Sequence, residues 1–206
     1  MNLVNKENIN KIGVISDTHI PTRAKFLPNS IHEYFKGVDF IIHCGDIVDN
    51  SVITELETIA TVCAVKGNMD PHEITFGHEL IIKINNKYVV CVSHGYGSPF
   101  TIKDKLYKVF TELPVFKGGP PLKNSIICDV PGAPSNPAST GGAFRVAGSN
   151  ESPDMIIFGH THKAYNDVYK DIKFFNPGSA TSGTDNNSIG IINVTENGLF
   201  GSIIEV

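Results

Sequence analysis

Short apolar runs alternate with amphipathic stretches in the first third of the chain. Three of the runs are followed by polar or glycine-bearing residues, as is typical of buried parallel strands: Ile12–Ser16, Phe40–His43 and Thr61–Lys66. Between the first two runs, Ser30 precedes Glu33 at the spacing of a capping box, which predicts the start of a helix. Asn50 or Ser51 begins a second amphipathic stretch that ends near Ala60. The predicted order of elements in this region is therefore β-α-β-α-β.

The pattern changes after residue 79, where apolar runs follow one another more closely. Leu80–Ile84 and Lys87–Ser93 flank the dipeptide Asn85-Asn86, a two-residue turn signal that predicts a β-hairpin. A helix is expected over Thr101–Phe110. Further strands are predicted at Met155–Phe158, Tyr165–Tyr169, Ile172–Phe175, Ser188–Val194 and Leu199–Ile204. A sheet begun by βαβ units and followed by mostly antiparallel strands predicts an α/β fold of two packed mixed β-sheets flanked by helices.

The segment 114–154 differs in composition from the rest of the chain. It contains seven of the twelve prolines and two glycine pairs, so it cannot form one ordinary helix. Connections longer than ~12–15 residues without secondary structure are uncommon and are usually functional or flexible. We interpret it first as a flexible Pro/Gly-rich insertion in a single domain spanning residues 1–206, with a lid or a partner-binding loop as alternatives. The apolar stretch Ser125–Val130 is consistent with a short strand and keeps the lid interpretation open.

Composition and charge narrow the class of protein. The chain has 206 residues, 41% of them hydrophobic, which is enough for one compact domain. A formal charge of −4 and a pI near 6.0 argue against a partner such as long nucleic acid. The first eleven residues lack the apolar core of a secretion signal and no later stretch reaches membrane-spanning length, so a cytoplasmic protein without a membrane segment is expected. Cys44, Cys63 and Cys91 lie in or beside apolar runs and are expected to be reduced, buried thiols.

Polar side chains follow the carboxyl ends of five predicted strands. The candidates are Asp17, His19, Asp46, Asn68, His94, His160 and His162. In open α/β sheets this edge is where ligands bind, because the loops converge there while the strands beneath them stay rigid. Two carboxylates, one amide oxygen and four imidazoles favour divalent Mn, Fe, Ni or Zn over Ca or Mg alone. The sequence therefore predicts a metal site at this edge.

Each of these motifs is weak when it is taken singly. Asp17-x-His19 alone is more often a turn residue beside a surface histidine, and His160-Thr161-His162 alone could be a small zinc site or a loop without function. Their order and common placement together carry the signal. The histidines that lack this placement are interpreted as structural or solvent-exposed: His32, His43, His72 and His78.

In their order along the chain, these motifs resemble the calcineurin-like metallophosphoesterase superfamily. The matching positions are Asp17-x-His19, Gly45-Asp46-x-x-Asp49, Gly67-Asn68, His94 and Gly159-His160-x-His162. Other residues look most like its small phosphodiesterase branch, with archaeal and bacterial minimal members and the related retromer-coat subunit: Ser16, Pro21, Arg23, Leu27-Pro28 and Asn176-Pro177-Gly178-Ser179. The resemblance leaves residues 114–154 outside it, and it implies the αββα sandwich of that superfamily.

The resemblance also implies two divalent metal ions, with Mn²⁺ as the first choice and Ni²⁺, Fe²⁺, Zn²⁺ or Mg²⁺ as alternatives. Asp17, His19 and His162 would hold one ion, and Asn68, His94 and His160 the other. Asp46 would bridge the two ions, whereas Asp49 is interpreted as a helix cap or as a partner of a ligand. The implied reaction is hydrolysis of a small phosphodiester by a hydroxide that both ions activate.

One position departs from the family pattern. In much of the superfamily a histidine follows the asparagine and can protonate the leaving oxygen, but here the residue is Met69. A thioether cannot donate a proton, so the usual catalytic histidine is missing and substrates with good leaving groups are favoured. Arg23 and Lys66 are candidates for stabilising charge, and Asp70 stands where it would orient a histidine at position 69.

Two other functions are weighed against this phosphodiesterase. A non-catalytic protein-binding scaffold of the retromer-subunit type is slightly favoured by Met69 and the insertion, but it is opposed by the seven intact ligand types. A nuclease for long nucleic acid is opposed by the negative charge. The sequence leaves open a homo-oligomer and a protein partner that binds through residues 114–154.

Overall fold

The computed structural model describes residues 8–112, 125–129, 152–181 and 187–206. Within these residues the helices are α1 (Ser30–Tyr34), α2 (Asn50–Glu57) and α3 (Ile102–Glu112). The strands are β1 (Lys11–Ile15), β2 (Phe40–His43), β3 (Val62–Ala64), β4 (Glu79–Ile84), β5 (Tyr88–Ser93), β6 (Ser125–Asp129), β7 (Met155–Phe158), β8 (Tyr165–Tyr169), β9 (Ile172–Asn176), β10 (Ser188–Thr195) and β11 (Gly198–Glu205).

The first sheet has five strands in the order β11-β10-β1-β2-β3. β1, β2 and β3 are parallel, and α1 and α2 connect them, so the predicted β-α-β-α-β order is confirmed. β10 runs antiparallel to both β1 and β11. The carboxyl ends of the three parallel strands consequently lie at one edge, and their loops leave the sheet side by side.

The second sheet has six strands in the order β6-β4-β5-β7-β9-β8. The predicted hairpin joins β4 to β5, and Asn85 and Asn86 have φ values of 51° and 54°, the left-handed conformation of a type I′ turn. The expectation of mostly antiparallel strands is wrong at the centre of this sheet, because β7 pairs in parallel with both β5 and β9. Between β5 and β7 the chain passes through α3 and then β6, and a connection of this length allows β5 and β7 to pair in parallel.

Apolar side chains from both sheets meet between them. Ile12, Val14 and Ile42 of the first sheet share one buried cluster with Val90 and Val92 of the second. The alternate residues of these strands face outward, where α1 and α2 cover the first sheet and α3 covers the second. Truncating one such buried isoleucine to alanine costs ~2–5 kcal/mol. The predicted fold of two packed mixed β-sheets flanked by helices is therefore confirmed.

Local boundaries differ from the predicted ones. Ser30 is the first helical residue of α1 rather than its cap, and Asn29 at the N-cap makes no side-chain hydrogen bond, so the capping box with Glu33 does not form. Asp49 caps α2, and its Oδ1 accepts the N–H of Ser51 at 2.7 Å, which confirms that Asp49 is a helix cap. α2 and β3 are both shorter than the stretches that the pattern predicted.

Most of the predicted insertion at 114–154 lies outside the described residues. Its stretch 125–129 is β6, which pairs in parallel with β4 at the edge of the second sheet, so the predicted short strand is present. Asp154 belongs to the sheet rather than to an insertion, because it donates its N–H to Val89 O at 2.8 Å and accepts the Val89 N–H on Oδ2 at 2.7 Å. The segment is thus anchored to β5 where it returns to β7.

Burial also determines the state of the cysteine side chains. Cys44 and Cys91 are buried and free, as predicted, and Cys63 is buried as well. Burial raises the pKa of the Cys44 and Cys91 thiols well above the usual value, so both stay protonated at neutral pH.

None of the described helices has the length and apolar character needed to cross a membrane.

Candidate metal centre

The loops that follow β1 and β2 are tied together by backbone hydrogen bonds. Asp17 donates its N–H to Gly45 O at 3.0 Å, and His19 donates its N–H to Asp46 O at 3.0 Å. These bonds continue the parallel pairing of the two strands for a few residues beyond the sheet. The candidate ligands on the two loops are therefore held at a fixed separation.

The loops of the second sheet approach the same place. Gly159 donates its N–H to His94 O at 3.2 Å, which ties the loop after β7 to the loop after β5. A side chain at position 159 would overlap with Ser16 Oγ and with Asp17 Oδ2, so the close approach of the two sheets requires glycine. His160 also donates its N–H to Asp17 Oδ2 at 3.1 Å.

Four of the predicted ligands converge on one point. The ligand atoms of Asp17, His19, Asp46 and His162 all lie within 4.8 Å of one another. His162 Nε2 is 3.2 Å from Asp17 Oδ1 and 3.3 Å from His19 Nε2. His19 Nε2 is 3.5 Å from Asp46 Oδ2. We call Asp17, His19 and His162 the first ligand group.

The remaining predicted ligands form a second cluster on the other side of Asp46. His94 Nε2 is 3.3 Å from Asp46 Oδ2 and 3.2 Å from Asn68 Oδ1. His160 Nδ1 is 3.0 Å from the same Asn68 oxygen. We call Asn68, His94 and His160 the second ligand group. All seven predicted residues thus come together, with one oxygen of Asp46 facing both groups.

Backbone carbonyls orient both imidazoles of the second ligand group. His94 Nδ1 lies 2.8 Å from Cys44 O and donates its proton to that carbonyl, so Nε2 is the ring nitrogen that faces Asp46 and would be available to a metal ion. His160 Nε2 lies 3.0 Å from Gly97 O and donates to it in the same way, so Nδ1 is the nitrogen that faces Asn68 Oδ1 and would be available to a metal ion. Metal-ligating histidines commonly have this arrangement, in which the distal ring nitrogen donates to a carbonyl.

One buried oxygen of the first ligand group has no hydrogen-bond donor. Asp17 Oδ2 accepts from Ser16 Oγ at 2.5 Å and from the His160 N–H, but Oδ1 has no hydrogen-bond partner among the described residues. His162 Nε2 lies only 3.2 Å from Oδ1, yet without the geometry of a hydrogen bond. A buried acceptor without a partner costs about 1–3 kcal/mol, and a coordinated cation would remove that cost. The donor set therefore fits a divalent ion.

Several candidate ligands have a positive φ, a left-handed backbone conformation that residues other than glycine rarely adopt. Their φ values are 52° for Asp17, 45° for His19, 56° for Asp46, 66° for His160 and 56° for His162. Left-handed conformations at residues other than glycine cost of the order of 1–3 kcal/mol each and cluster at functional sites. Such a concentration in one place supports a functional role for these loops.

Charges within the cluster set the protonation of its side chains. Burial disfavours the Asp46 anion, but the hydrogen bond and charge of His94 outweigh this and lower the pKa of the carboxyl. Burial likewise opposes a charged His94, yet the carboxylates of Asp46 and Asp17 raise its pKa. Burial lowers the pKa of His19. Because imidazoles bind metals in their neutral form, a metal ion would compete with the proton on His94.

The two predicted charge stabilisers differ in their surroundings. Arg23 Nη1 is 2.8 Å from His162 Nδ1, so its guanidinium group lies at the edge of the first ligand group. Lys66 Nζ donates to Pro71 O at 2.7 Å and to Ile74 O at 3.1 Å, which makes it a support for its own loop. Of these two cations, Arg23 is therefore the one placed to meet a substrate.

Sequence reasoning missed a buried histidine beneath the site. His43 Nδ1 accepts the Gly45 N–H at 3.2 Å, and its Nε2 is then free to donate to Thr18 Oγ1 at 3.1 Å. Burial lowers the pKa of His43 to about 4, so the ring is neutral at pH 7. A structural or solvent-exposed position was predicted for His43, but not that it links the loops of Asp17 and Asp46.

Three polar residues at the end of β9 and in the segment that follows it also support the loops of the candidate ligands. Asn176 Nδ2 donates to Gly159 O at 2.8 Å, Ser179 Oγ donates to Asp17 O at 2.8 Å, and Thr181 Oγ1 donates to Thr18 O. The sequence Asn176-Pro177-Gly178-Ser179 contributed to the family resemblance, but its pattern gave no sign of these contacts. They form because β9 lies beside β7 in the sheet.

Comparison with known proteins assigns this chain to a family. The calcineurin-like phosphoesterase superfamily domain matches residues 11–118 and 135–197. A probable metallophosphoesterase of Methanocaldococcus jannaschii is 35% identical over 170 residues, which cover 82% of this chain and 68% of that protein. The chain therefore belongs to the calcineurin-like phosphoesterase superfamily, and the family together with the Asp/His cluster indicates a phosphoesterase that binds a divalent metal. The match extends into 114–154 from both sides and omits residues 119–134, so the likeness reaches further than the motifs suggest.

Solved structures share the fold at lower sequence identity. Vps29 of Chaetomium thermophilum superposes with a TM-score of 0.62 at 17% identity, covering 95% of this chain and 96% of that one. A structure described as a novel archaeal phosphodiesterase has a TM-score of 0.58 at 22% identity, covering 94% of this chain and 99% of that one. Likeness at these identities establishes the fold alone.

Proposed function

We propose that this protein is a phosphodiesterase that uses two divalent ions to hydrolyse small phosphodiesters. The observation that carries the proposal is the position of Asp46 Oδ2, which is 3.5 Å from His19 Nε2 and 3.3 Å from His94 Nε2. One carboxylate oxygen facing two imidazoles from separate groups fits a bridging ligand. Asp17, His19 and His162 would hold one ion, and Asn68, His94 and His160 the other.

When bound, two such ions lower the pKa of a shared water and neutralise phosphate charge. The protein's own contribution is to fix the ligands before substrate arrives. Asp46 Oδ1 accepts the Met69 N–H at 2.7 Å, so this carboxylate is anchored through one oxygen and offers the other. Mn²⁺ is the proposed metal because mixed carboxylate, amide and imidazole ligands suit it.

Arg23 and Met69 bear on the choice of substrate. The Arg23 guanidinium can make two parallel hydrogen bonds to the non-bridging oxygens of a phosphate at the edge of the first ligand group. Met69 is 58% exposed and has no proton to donate, so the leaving oxygen would depart without a general acid from that position. Small diesters with good leaving groups follow as the preferred substrates. The overall charge of −4 disfavours long nucleic acid.

A metal titration combined with a substrate comparison tests this function. Chelator-treated protein is titrated with Mn²⁺ by calorimetry, and hydrolysis of bis-p-nitrophenyl phosphate is compared with that of p-nitrophenyl phosphate. We expect two ions per chain and faster hydrolysis of the diester. Trace metal binding would overturn the catalytic function, one ion per chain would overturn the dinuclear site, and a preference for the monoester would overturn the diester specificity.

A protein-binding scaffold is the second candidate, because exposed apolar side chains surround the same loops. Tyr96 and Phe100, on the loop after His94, are 55% and 94% exposed, and Met69 lies exposed beside Asn68. Exposed apolar patches often mark protein-binding sites. A Vps29 of the same fold has been solved in complex with a cyclic peptide. Under this alternative, Phe100→Ser would abolish partner binding while metal-ligand substitutions would not.

We also propose that residues 1–206 form one domain in the cytoplasm. The support is that strands from the whole described range enter the two sheets, from β1 at the N-terminal side to β11 at the C-terminal side. Limited proteolysis tests this organisation. Fragments that stay associated are expected even where the protease cuts within 114–152, whereas two separately stable fragments would contradict a single domain.

A further inference from the structure

The carboxylate of Asp70 accepts three backbone N–H groups from two loops. Oδ2 accepts the N–H of Asp46 at 3.1 Å and that of Gly67 at 2.7 Å, while Oδ1 accepts the N–H of Val48 at 2.7 Å. Asp70 is only 8% exposed, so water competes little for these donors. An ionised carboxylate has acceptor sites for all three, and a charged acceptor makes each bond stronger than a neutral one.

The loop after β2 requires such support because its backbone is strained. Asp46 has a φ of 56° and Val48 a φ of 73°. For a β-branched residue a positive φ is a genuine outlier, and it persists only where the surrounding structure holds it in place. The bond from the Val48 N–H to Asp70 Oδ1 holds one end of the strained segment, and the bond from the Asp46 N–H to Oδ2 holds the other.

The same carboxylate also sets how closely the Asp46 and Asn68 loops approach. A side chain at Gly67 would overlap with the backbone and carboxylate of Asp46, so the two loops are in direct contact there. The Met69 N–H donates to Asp46 Oδ1 at 2.7 Å, while the Met69 side chain is exposed. Position 69 therefore serves the site through its backbone, and Asp70 faces inward rather than toward the side chain of residue 69.

We propose that Asp70 is a positioning residue of the metal centre, which fixes the Asp46 carboxylate relative to Asn68. It has no proton donor at position 69 to orient, because that residue is Met69 and the Asp70 carboxylate accepts three backbone N–H groups instead. The proposal rests on the proposed assignment of Asp46 and Asn68 as ligands. It extends that assignment by naming the residue that sets their separation.

Asp70→Asn is the direct test, and Asp49→Asn is its matched control. Asparagine at 70 replaces one acceptor oxygen with an NH₂ group that faces a backbone donor, whereas asparagine at 49 remains a good helix cap. We expect Asp70→Asn to weaken Mn²⁺ binding by roughly 10–100-fold, the usual effect of changing a residue that supports a metal ligand. Asp49→Asn should leave the Mn²⁺ affinity within about twofold of wild type. Calorimetry measures both affinities. Wild-type affinity in a folded Asp70→Asn protein would overturn the proposal.

Two further measurements separate positioning from general stability. In the Asp70→Asn background, Val48→Gly should recover part of the lost Mn²⁺ affinity, because glycine adopts a positive φ without strain. No recovery would overturn the proposal.

In metal-free wild-type protein, the amide hydrogens of Asp46, Val48 and Gly67 should exchange more slowly than that of Ser51, which is bonded to an exposed carboxylate. Equally fast exchange would overturn the proposal even if Asp70→Asn does not fold.

The exchange measurement also distinguishes this proposal from the proposed function. If wild-type protein binds no Mn²⁺, the dinuclear phosphodiesterase is wrong. Slow exchange of the three amides in that protein would still support Asp70 as the residue that holds the two loops, whereas fast exchange would reject both.

Discussion

The two ligand groups on either side of Asp46 are held in different ways. In the second group, Cys44 O fixes the His94 ring at 2.8 Å and Gly97 O fixes the His160 ring at 3.0 Å. In the first group, Nε2 of His19 and Nε2 of His162 face each other at 3.3 Å. Among the described residues, backbone carbonyls make no hydrogen bond to either of those rings.

This difference indicates which group depends more on a cation. In the second group, backbone carbonyls fix the orientation of the two imidazole rings, so the ring nitrogens that face Asp46 and Asn68 keep that direction whether or not an ion is bound. The first group brings two imidazole nitrogens and the partnerless Asp17 Oδ1 together, an arrangement that a cation would stabilise. Ion binding should therefore order the first group more than the second.

The largest expected effect comes from removing the carboxylate between the groups. Asp46→Ala should weaken binding of both ions by at least about 100-fold, beyond what changes outside the coordination sphere cost. Asp17→Ala should weaken mainly the ion of the first group. Stepwise Mn²⁺ titrations of the two variants provide the measurement. If Asp46→Ala removes only one ion, Asp46 does not lie between two sites.

A smaller effect is expected from restoring a proton donor beside the second group. Met69→His should raise turnover of diesters with poor leaving groups, and general acid catalysis is typically worth ~10²–10⁴-fold. Because three backbone N–H groups already occupy most of the acceptor sites of Asp70, we expect it to orient the new ring poorly, and a gain near the lower end of that range follows. Met69→Gln is the control of similar size. An unchanged dependence of rate on leaving-group pKa, with metal content intact, would show that another group already supplies the proton.

The neutral His43 beneath the first group predicts a pH effect on stability. Burial lowers the pKa of His43 to about 4, whereas an unfolded histidine has a pKa of about 6.5, so the unfolded state binds more protons between these values. The stabilisation is present above pH 6.5 and is lost as the pH falls toward 4, by about 3 kcal/mol in total.

Denaturant unfolding of metal-free protein between pH 4 and pH 7 measures this loss. His43→Asn should flatten the pH dependence relative to wild type, since the other titrating groups are common to both proteins. Parallel curves for the two proteins would mean that His43 is not held neutral.

Much of the fold and the site could be predicted because both depend on local pattern. Short apolar runs predicted β1, β2 and β7, and the polar residues directly after them gave candidate ligands that the structure brings together. The sequence alone could not show that Asp70 connects two loops. The three backbone N–H groups that donate to its carboxylate come from loops that meet only in the folded protein. The parallel pairing of β7 was missed for a similar reason, since the direction of a strand in a sheet depends on the path of the chain between the strands and not on the strand's own residues.

The smallest expected effect on the metal centre comes from replacing residues 114–152 with a short Gly/Ser linker. This change removes β6, which lies at the edge of the second sheet beyond β4, while β5 and β7 with His94 and His160 remain paired. Asp154 must be kept, because it exchanges two hydrogen bonds with Val89. We expect wild-type Mn²⁺ stoichiometry and cooperative unfolding at a reduced midpoint, with a changed preference among diesters. A matched variant that also carries Asp154→Ala should unfold at a still lower midpoint. Loss of cooperative unfolding in the first variant would mean that the segment belongs to the core of the domain rather than to an insertion.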